Sequence, residues 1–118
     1  LGFSDMDKRV VALAAYYHSH LLFNNQNEGR PRVDRNCMPL VAKLAAILRL
    51  ADAMDRSYLQ KVEKCKVTLK GNEMQIHAVS RKDLTLEEWT FENKKNFFVE
   101  VFGLTPVLER VGGRKENG

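Results

Sequence analysis

The chain has 118 residues, 44% of them hydrophobic and 29% charged, with a formal net charge of +4. This length fits one ordinary domain or two small lobes, and the composition allows a buried core. No apolar run approaches the roughly 18 residues of a membrane helix and no signal peptide is visible, so we expect a cytoplasmic protein without a membrane partner. Cys37 and Cys65 have no CxxC companion, which favours reduced thiols over a disulfide or a zinc site.

The first predicted helix begins at Ser4, a good N-cap residue, and runs to about Phe23. Asp5 and Asp7 fall in its first turn, where the helix dipole favours acidic side chains. A polar, turn-prone stretch that closes with Gly29 ends the helix. The apolar positions that we expect to be buried are Val10, Leu13, Ala14, Tyr17, Leu21 and Leu22.

The second predicted helix carries Pro39 in its first turn and ends near Ser57 or Tyr58. From Leu44 onward it is dense in strong helix formers. Its apolar residues recur at helical spacing, and we expect them to form one buried face. That face comprises Leu40, Leu44, Ile47, Leu48, Ala51 and Met54.

Two carboxylates accompany this face, with Asp55 in its middle and Asp52 on its edge. An unpaired buried charge costs several kcal/mol, so both carboxylates need partners. Arg49 lies three residues before Asp52 and Arg56 four after it, which predicts a structural ion-pair flank. The alternative is that the helix presents an acidic ligand to a site shared with another segment.

The second half of the chain predicts a small mixed sheet. Residues 62–69 alternate, with Cys65, Val67 and Leu69 on one side, and Gly71-Asn72 signals a hairpin turn into the alternating residues 74–79. We expect one helix from Thr85 to about Phe102, with capping-box spacing between Thr85 and Glu88 and with Gly103 as its C-terminal residue. Residues 106–111 predict a final edge strand because they begin with proline.

The predicted fold class is therefore α+β. Two long antiparallel helices, part of an HD-like helical domain, occupy residues 1–58. A small β-β-α-β lobe with a hairpin, a helix and an edge strand occupies residues 59–118. The start at Leu1 and the featureless tail 112–118 predict that the chain is a piece of a longer protein.

Three stretches in order resemble the C-terminal region of the Ppx/GppA family, the exopolyphosphatases and guanosine pentaphosphate phosphohydrolases. They are Leu48–Ser57, similar to the late helix of HD-type domains; Ala14–His18, similar to an "A-x-Y-H" helix; and Phe97–Gly103, similar to an "F-x-x-x-F-G" segment. The resemblance implies that catalysis resides in N-terminal ATPase-fold lobes of a parent enzyme that needs Mg²⁺. It also implies that this fragment has no catalytic residue and no cofactor, and that it contributes polyanion binding and dimerisation.

The resemblance leaves open a metal-dependent HD phosphohydrolase, in which Asp52 stands at the last metal-binding aspartate and His18 lies near the substrate phosphate. The adjacent His-Asp pair of that superfamily does not occur in the sequence. His18 and His20 are two residues apart and point to different faces, so they form a poor metal pair on their own.

Basic residues provide the candidate binding site. Arginine forks fit phosphate oxygens, and a groove of one charge sign concentrates anions such as polyphosphate or guanosine polyphosphate. The arginines could equally be solvated or paired with Glu28 and Asp34. The residues predicted to line the groove are His18, Arg30, Arg32, Arg35, Arg49 and Arg56.

A pure interaction module is the remaining alternative, with its positive charge incidental. The aromatic residues Trp89, Phe91, Phe97, Phe98 and Phe102 indicate the core of the second lobe or a dimer seam. The predicted strands carry no aromatic residue, so we expect no specific nucleic acid partner.

Overall fold

The computed structural model describes residues 4–19 and 32–112, with the side chains of residues 18 and 19 excepted. The chain is mixed α+β and divides into two compact units, Leu1–Arg49 and Leu50–Gly118. The division falls inside the second helix, whereas the sequence predicts a boundary between residues 58 and 59.

The first unit contains helix α1, Asp5–Ser19, and the start of helix α2, Met38–Met54, which follows a short 3₁₀ turn at Arg35–Cys37. Ser4 caps α1 as predicted. The Asp7 N–H donates to Ser4 Oγ at 3.0 Å, and the Ser4 N–H donates to Asp7 Oδ2 at 3.1 Å. These two bonds satisfy backbone donors that an open helix end would leave unpaired.

Helix α1 packs against the N-terminal half of α2. The buried cluster of the first unit contains Val10, Leu13 and Ala14 of α1 together with Val41 of α2. The three α1 positions are those predicted to be buried, and Tyr17 lies partly buried against the same cluster. The predicted continuation of α1 to Phe23, with Leu21 and Leu22, lies outside the described residues.

The predicted buried face of α2 is wrong apart from Leu44, which is half-buried against the cluster of the first unit. Leu40, Ile47 and Leu48 are exposed, whereas the buried residues lie on the nearly opposite side of the helix. Both sides of α2 are apolar, so periodicity alone does not select between them. The buried side is rich in alanine, whose small side chain allows close packing, whereas the pattern in the sequence is dominated by the larger residues. The buried residues of α2 are Val41, Ala45, Ala46, Leu50 and Ala53.

Helix α2 also ends earlier than predicted, at Met54 instead of Ser57 or Tyr58. A turn follows, in which the Tyr58 N–H donates to Asp55 O at 2.9 Å. Tyr58 and Gln60 then adopt left-handed φ values of 60° and 53°, which no right-handed helix accommodates. Asp55 therefore lies in a turn and not on a helix face.

The second unit is built on a three-stranded sheet with the strand order β1-β2-β3. Strand β1, Lys64–Lys70, pairs antiparallel with β2, Glu73–Ser80, through the predicted turn at Gly71, whose φ is 60°. Strand β3, Thr105–Gly112, pairs parallel with β2 and forms the other edge, as the proline predicts. The hairpin and the final strand are thus confirmed.

The segment between β2 and β3 forms two helices and not the single one predicted. Helix α3, Thr85–Lys94, is separated from α4, Asn96–Phe102, by Lys95, whose ψ of −16° departs from the helical value near −42°. Both helices pack against β3, and each places one phenylalanine, Phe91 or Phe98, in the core. Gly103 ends α4 with φ 68°, as predicted.

One further prediction for this segment is wrong. Helix α3 begins at Thr85, so its N-cap residue is Leu84, which has no side-chain oxygen, and the Thr85–Glu88 box does not form. The Asp83 carboxylate, one residue earlier, accepts from Thr85 Oγ1 at 2.6 Å and from the Thr85 N–H at 3.2 Å. The sequence predicts that Trp89 lies in the core or at a dimer seam; 67% of it is exposed, so it is not a core residue and the dimer seam stays a prediction. Both cysteines are free thiols.

Candidate functional site

The arginine-bearing segment before α2, described over residues 32–37, is exposed along most of this range. Arg32 and Arg35 are both exposed, and the latter opens the 3₁₀ turn that leads into the helix. The Arg9 side chain donates to Arg32 O at a long 3.5 Å, which links this segment to α1. Neither Arg32 nor Arg35 makes an ion pair with another residue in the ranges 4–19 and 32–112.

The other predicted groove residues belong to different parts of the chain. Arg49 is half-buried in α2 and belongs to the first compact unit, whereas Arg56 is exposed in the turn after α2 and belongs to the second. Arg30 and the side chain of His18 lie outside the described residues. A groove that combines all six residues stays a prediction.

The two aspartates of the predicted flank are both half-buried. Asp55 Oδ1 accepts from the Gln60 N–H at 3.0 Å, so this carboxylate stabilises the turn after α2. The predicted pairing of both aspartates with Arg49 and Arg56 stays a prediction. Over the described ranges, no three His, Cys, Asp or Glu side chains converge as a metal ion requires. The metal-dependent HD alternative, with Asp52 as a ligand, stays a prediction.

The second unit contains a buried carboxylate that the sequence pattern did not indicate. Only 1% of the Glu87 side chain is exposed. Its Oε2 accepts from the Ser57 N–H at 2.9 Å, and its Oε1 lies 3.4 Å from Lys61 Nζ, which also donates to Asp83 O at 3.1 Å. Helix α3 thus holds the connection between α2 and β1. Its spacing, three residues after Leu84 and four before Phe91, puts Glu87 on the same side of the helix as these two apolar residues and is the signal that could have revealed it.

The pKa of Glu87 reflects two opposing effects. Burial raises the pKa, because a charged carboxylate loses solvation. Hydrogen bonding from Ser57 and the positive charge of Lys61 lower it, and together they hold the pKa below the ordinary value of 4.5. Glu87 is therefore ionised at neutral pH, and its contacts with Ser57 and Lys61 stabilise the fold.

A basic sheet face is the second feature that the sequence did not reveal in full. The register places Lys64 beside Val79 and Lys66 beside His77, with Lys70 beside Glu73. His77 Nδ1 lies 3.3 Å from Glu109 Oε1 on the neighbouring strand. A shallow depression of about 510 Å³ adjoins this face, lined in part by Lys64, Lys66 and His77. The alternation that starts at residue 62 predicts that Lys64, Lys66 and Lys70 share one side of the strand. Whether that side is exposed depends on the tertiary structure.

Comparisons with known proteins place the chain in no group. No family model matches it, and no curated protein is significantly similar to it. Within the part of the chain that the structure describes, none of the helices has the length and apolar character needed to cross a membrane.

Proposed function

We propose that the chain is the C-terminal, non-catalytic accessory region of a cytoplasmic Ppx/GppA-type phosphatase and contributes polyanion binding and dimerisation to it. The three resembling stretches support this by their positions: Ala14–His18 lies in α1, Leu48–Ser57 spans the end of α2, and Phe97–Gly103 covers α4 and its C-cap. Hydrolysis of phosphoanhydride bonds, and the Mg²⁺ it requires, belong to the ATPase-fold lobes of the parent chain.

The HD-like character of the region is part of this proposal. In it, α1 and α2 run antiparallel as the last helices of an HD-like bundle, with the arginine-bearing connection at one end. The shared cluster of Val10, Leu13 and Ala14 with Val41 supports direct packing between the two helices.

The observation that carries the proposal is the pair of exposed arginines, Arg32 and Arg35, without ion-pair partners in the described ranges. Arginine binds phosphate oxygens through two parallel N–H bonds, so it is well suited to a chain of phosphates. Together with Arg30, these residues give one short segment three positive charges.

Calorimetric titration with long-chain polyphosphate at two salt concentrations tests the proposal. We expect salt-sensitive binding, because association between opposite charges is screened by ions. Replacing Arg30, Arg32 and Arg35 with glutamine should weaken binding and reduce its salt dependence. A matched control replaces the exposed Lys8, Lys43 and Lys82 with glutamine, which removes the same charge elsewhere. Equal losses in both variants, or no binding by the unmodified chain, would refute the binding role.

A second candidate function is an interaction module without a small anionic ligand. The exposure of Trp89 and Leu86 on α3 favours it, because large apolar side chains at a surface often mark a protein contact. Tight polyphosphate binding by a chain that stays monomeric at high concentration, measured by light scattering, would exclude this candidate.

A further inference from the structure

Strand β1 is an open edge of the sheet. It is the first strand in the order β1-β2-β3 and pairs only with β2 among the described strands. All seven of its residues are exposed. Such an edge presents a row of backbone N–H and C=O groups that another extended segment can pair with.

The two faces of β1 differ in chemistry. The register places Val67 opposite the buried Ile76, and Leu69 opposite Met74, so both belong to the core side of the sheet. Nevertheless 53% of Val67 and 63% of Leu69 are exposed. The opposite face carries Lys64, Lys66 and Lys70. One edge therefore offers a backbone row with an apolar side and a basic side.

We propose that the β1 edge binds an extended segment of a partner protein in which acidic and apolar residues alternate. The segment adds as a fourth strand, its backbone pairs with β1, and its side chains alternate between the two faces. Its acidic residues lie beside the lysines, and its apolar residues lie beside Val67 and Leu69. This surface is separate from the arginine-bearing segment of the first unit and does not depend on the proposed phosphatase role.

Charge argues against a second copy of this chain at the same edge. Antiparallel pairing of two β1 strands keeps each face continuous, so the lysines of one copy would lie beside the lysines of the other. Like charges directly opposite each other destabilise strand pairing, and edge lysines discourage self-association in natural sheets. An acidic strand reverses the sign of that interaction.

The composition of the basic face argues against nucleic acid. Proteins that bind single strands through a sheet stack bases on aromatic side chains, and β1, β2 and β3 carry no Phe, Tyr or Trp. Glu73 beside Lys70, and Glu109 beside His77, add negative charge to the same face. The carboxylates of Glu73 and Glu109 would repel a phosphate chain that lies across this face. An added strand paired with β1 instead lies next to the lysines of β1.

The probe is a short synthetic peptide that alternates glutamate and valine, titrated into the isotope-labelled full chain and followed by NMR. We expect shift changes and slower amide exchange at β1, with β3 unaffected. A peptide with the same composition but with the glutamates and valines in separate blocks should bind weakly, because it cannot match the alternation.

Two variants separate charge from apolar contact. Replacing Lys64, Lys66 and Lys70 with glutamate should weaken peptide binding about tenfold or more. The control makes the same change at Lys8, Lys43 and Lys82 and should have little effect on binding. Val67→Thr with Leu69→Thr keeps the charge and should also weaken binding. Circular dichroism checks that each variant folds.

Several outcomes would overturn the proposal. The first is an equal loss of peptide binding in the two lysine variants. The second is a set of peptide-induced chemical-shift changes at β3. The third is a change in the β1 chemical shifts with chain concentration when no peptide is present. Lysine-dependent binding of oligothymidylate in place of the peptide would instead make the face a polyanion site.

Discussion

Glu87 shows how one residue can define the course of a connection. The chain after α2 passes through left-handed conformations at Tyr58 and Gln60, which are costly for residues other than glycine. The bonds from the Ser57 N–H and Lys61 Nζ to the Glu87 carboxylate bracket this stretch on both sides. The buried charge is tolerated because both of its oxygens have donors.

Replacing Glu87 with alanine should lower the free energy of unfolding by about 1–3 kcal/mol, since the substitution leaves the N–H of the half-buried Ser57 without its acceptor. Urea unfolding followed by circular dichroism measures the change. Glu88→Ala, at the next position of the same helix, serves as a control and should change stability far less. Similar values for the two variants would show that the Glu87 contacts contribute little.

The low pKa of Glu87 predicts a specific pH dependence. A carboxylate whose pKa is lower in the folded than in the unfolded state contributes stability above the unfolded value, and this contribution is lost as the pH falls through the folded value. The stability difference between the unmodified chain and Glu87→Gln should therefore shrink as the pH is lowered from neutral to about 3. A difference that is constant over this range would contradict the assignment.

At the scale of elements, local signals predicted local structure well. The Ser4 cap, the turn at Gly71 and the C-cap at Gly103 each depend on a few adjacent residues, and each is confirmed. Two local signals failed, since the Thr85–Glu88 box does not form and α2 ends at Met54. The other failures depended on tertiary contacts: the sequence could not select which apolar side of α2 is buried, nor decide whether Trp89 lies in the core.

The candidate site follows the same division. Arg32 and Arg35 are exposed, as their polar, proline-containing context suggests. Whether distant residues such as Arg49 and Arg56 act with them depends on long-range geometry, which spacing does not encode. Glu87 was missed because its partners, Ser57 and Lys61, are about thirty residues away in the sequence.

Two glycines test the backbone requirements of α4 and β3. Gly103→Ala should destabilise the chain by about 1 kcal/mol, because alanine is strained at φ 68°. Gly112→Ala is the matched control: its φ is not positive and a Cβ there meets no atom within 4 Å, so its effect should be neutral or slightly stabilising. Thermal unfolding of both variants provides the comparison, and a reversed order would contradict the role of Gly103 as a C-cap.

At the scale of the whole molecule, Trp89 gives the proposed dimerisation an optical readout. It is the single tryptophan of the chain, and it lies exposed on α3. We expect acrylamide to quench its fluorescence freely in dilute solution and less at concentrations where a dimer forms. Leu86→Ser, one turn away on the same helix, should shift that change to higher concentration. Quenching that is independent of concentration, while light scattering reports a dimer, would place the seam elsewhere.

The exposed side of α2 adds a second apolar surface, formed by Leu40, Ile47 and Leu48. In the proposed function, the ATPase-fold lobes of the parent chain can cover part of it. Exposed apolar side chains at a surface often mark a protein contact, so we expect the 118-residue chain alone to self-associate.

The position of β2 between an antiparallel and a parallel neighbour has a kinetic consequence. Strands β1 and β2 are joined by two residues, so we expect them to pair within microseconds. We expect β3 to pair with β2 later, because residues 81–104 must first form their two helices. Ile76→Val in the hairpin should therefore slow folding, whereas Leu108→Ala in β3 should mainly accelerate unfolding. We therefore expect the sheet to form from the β1 edge towards β3, and β3 to detach first on unfolding.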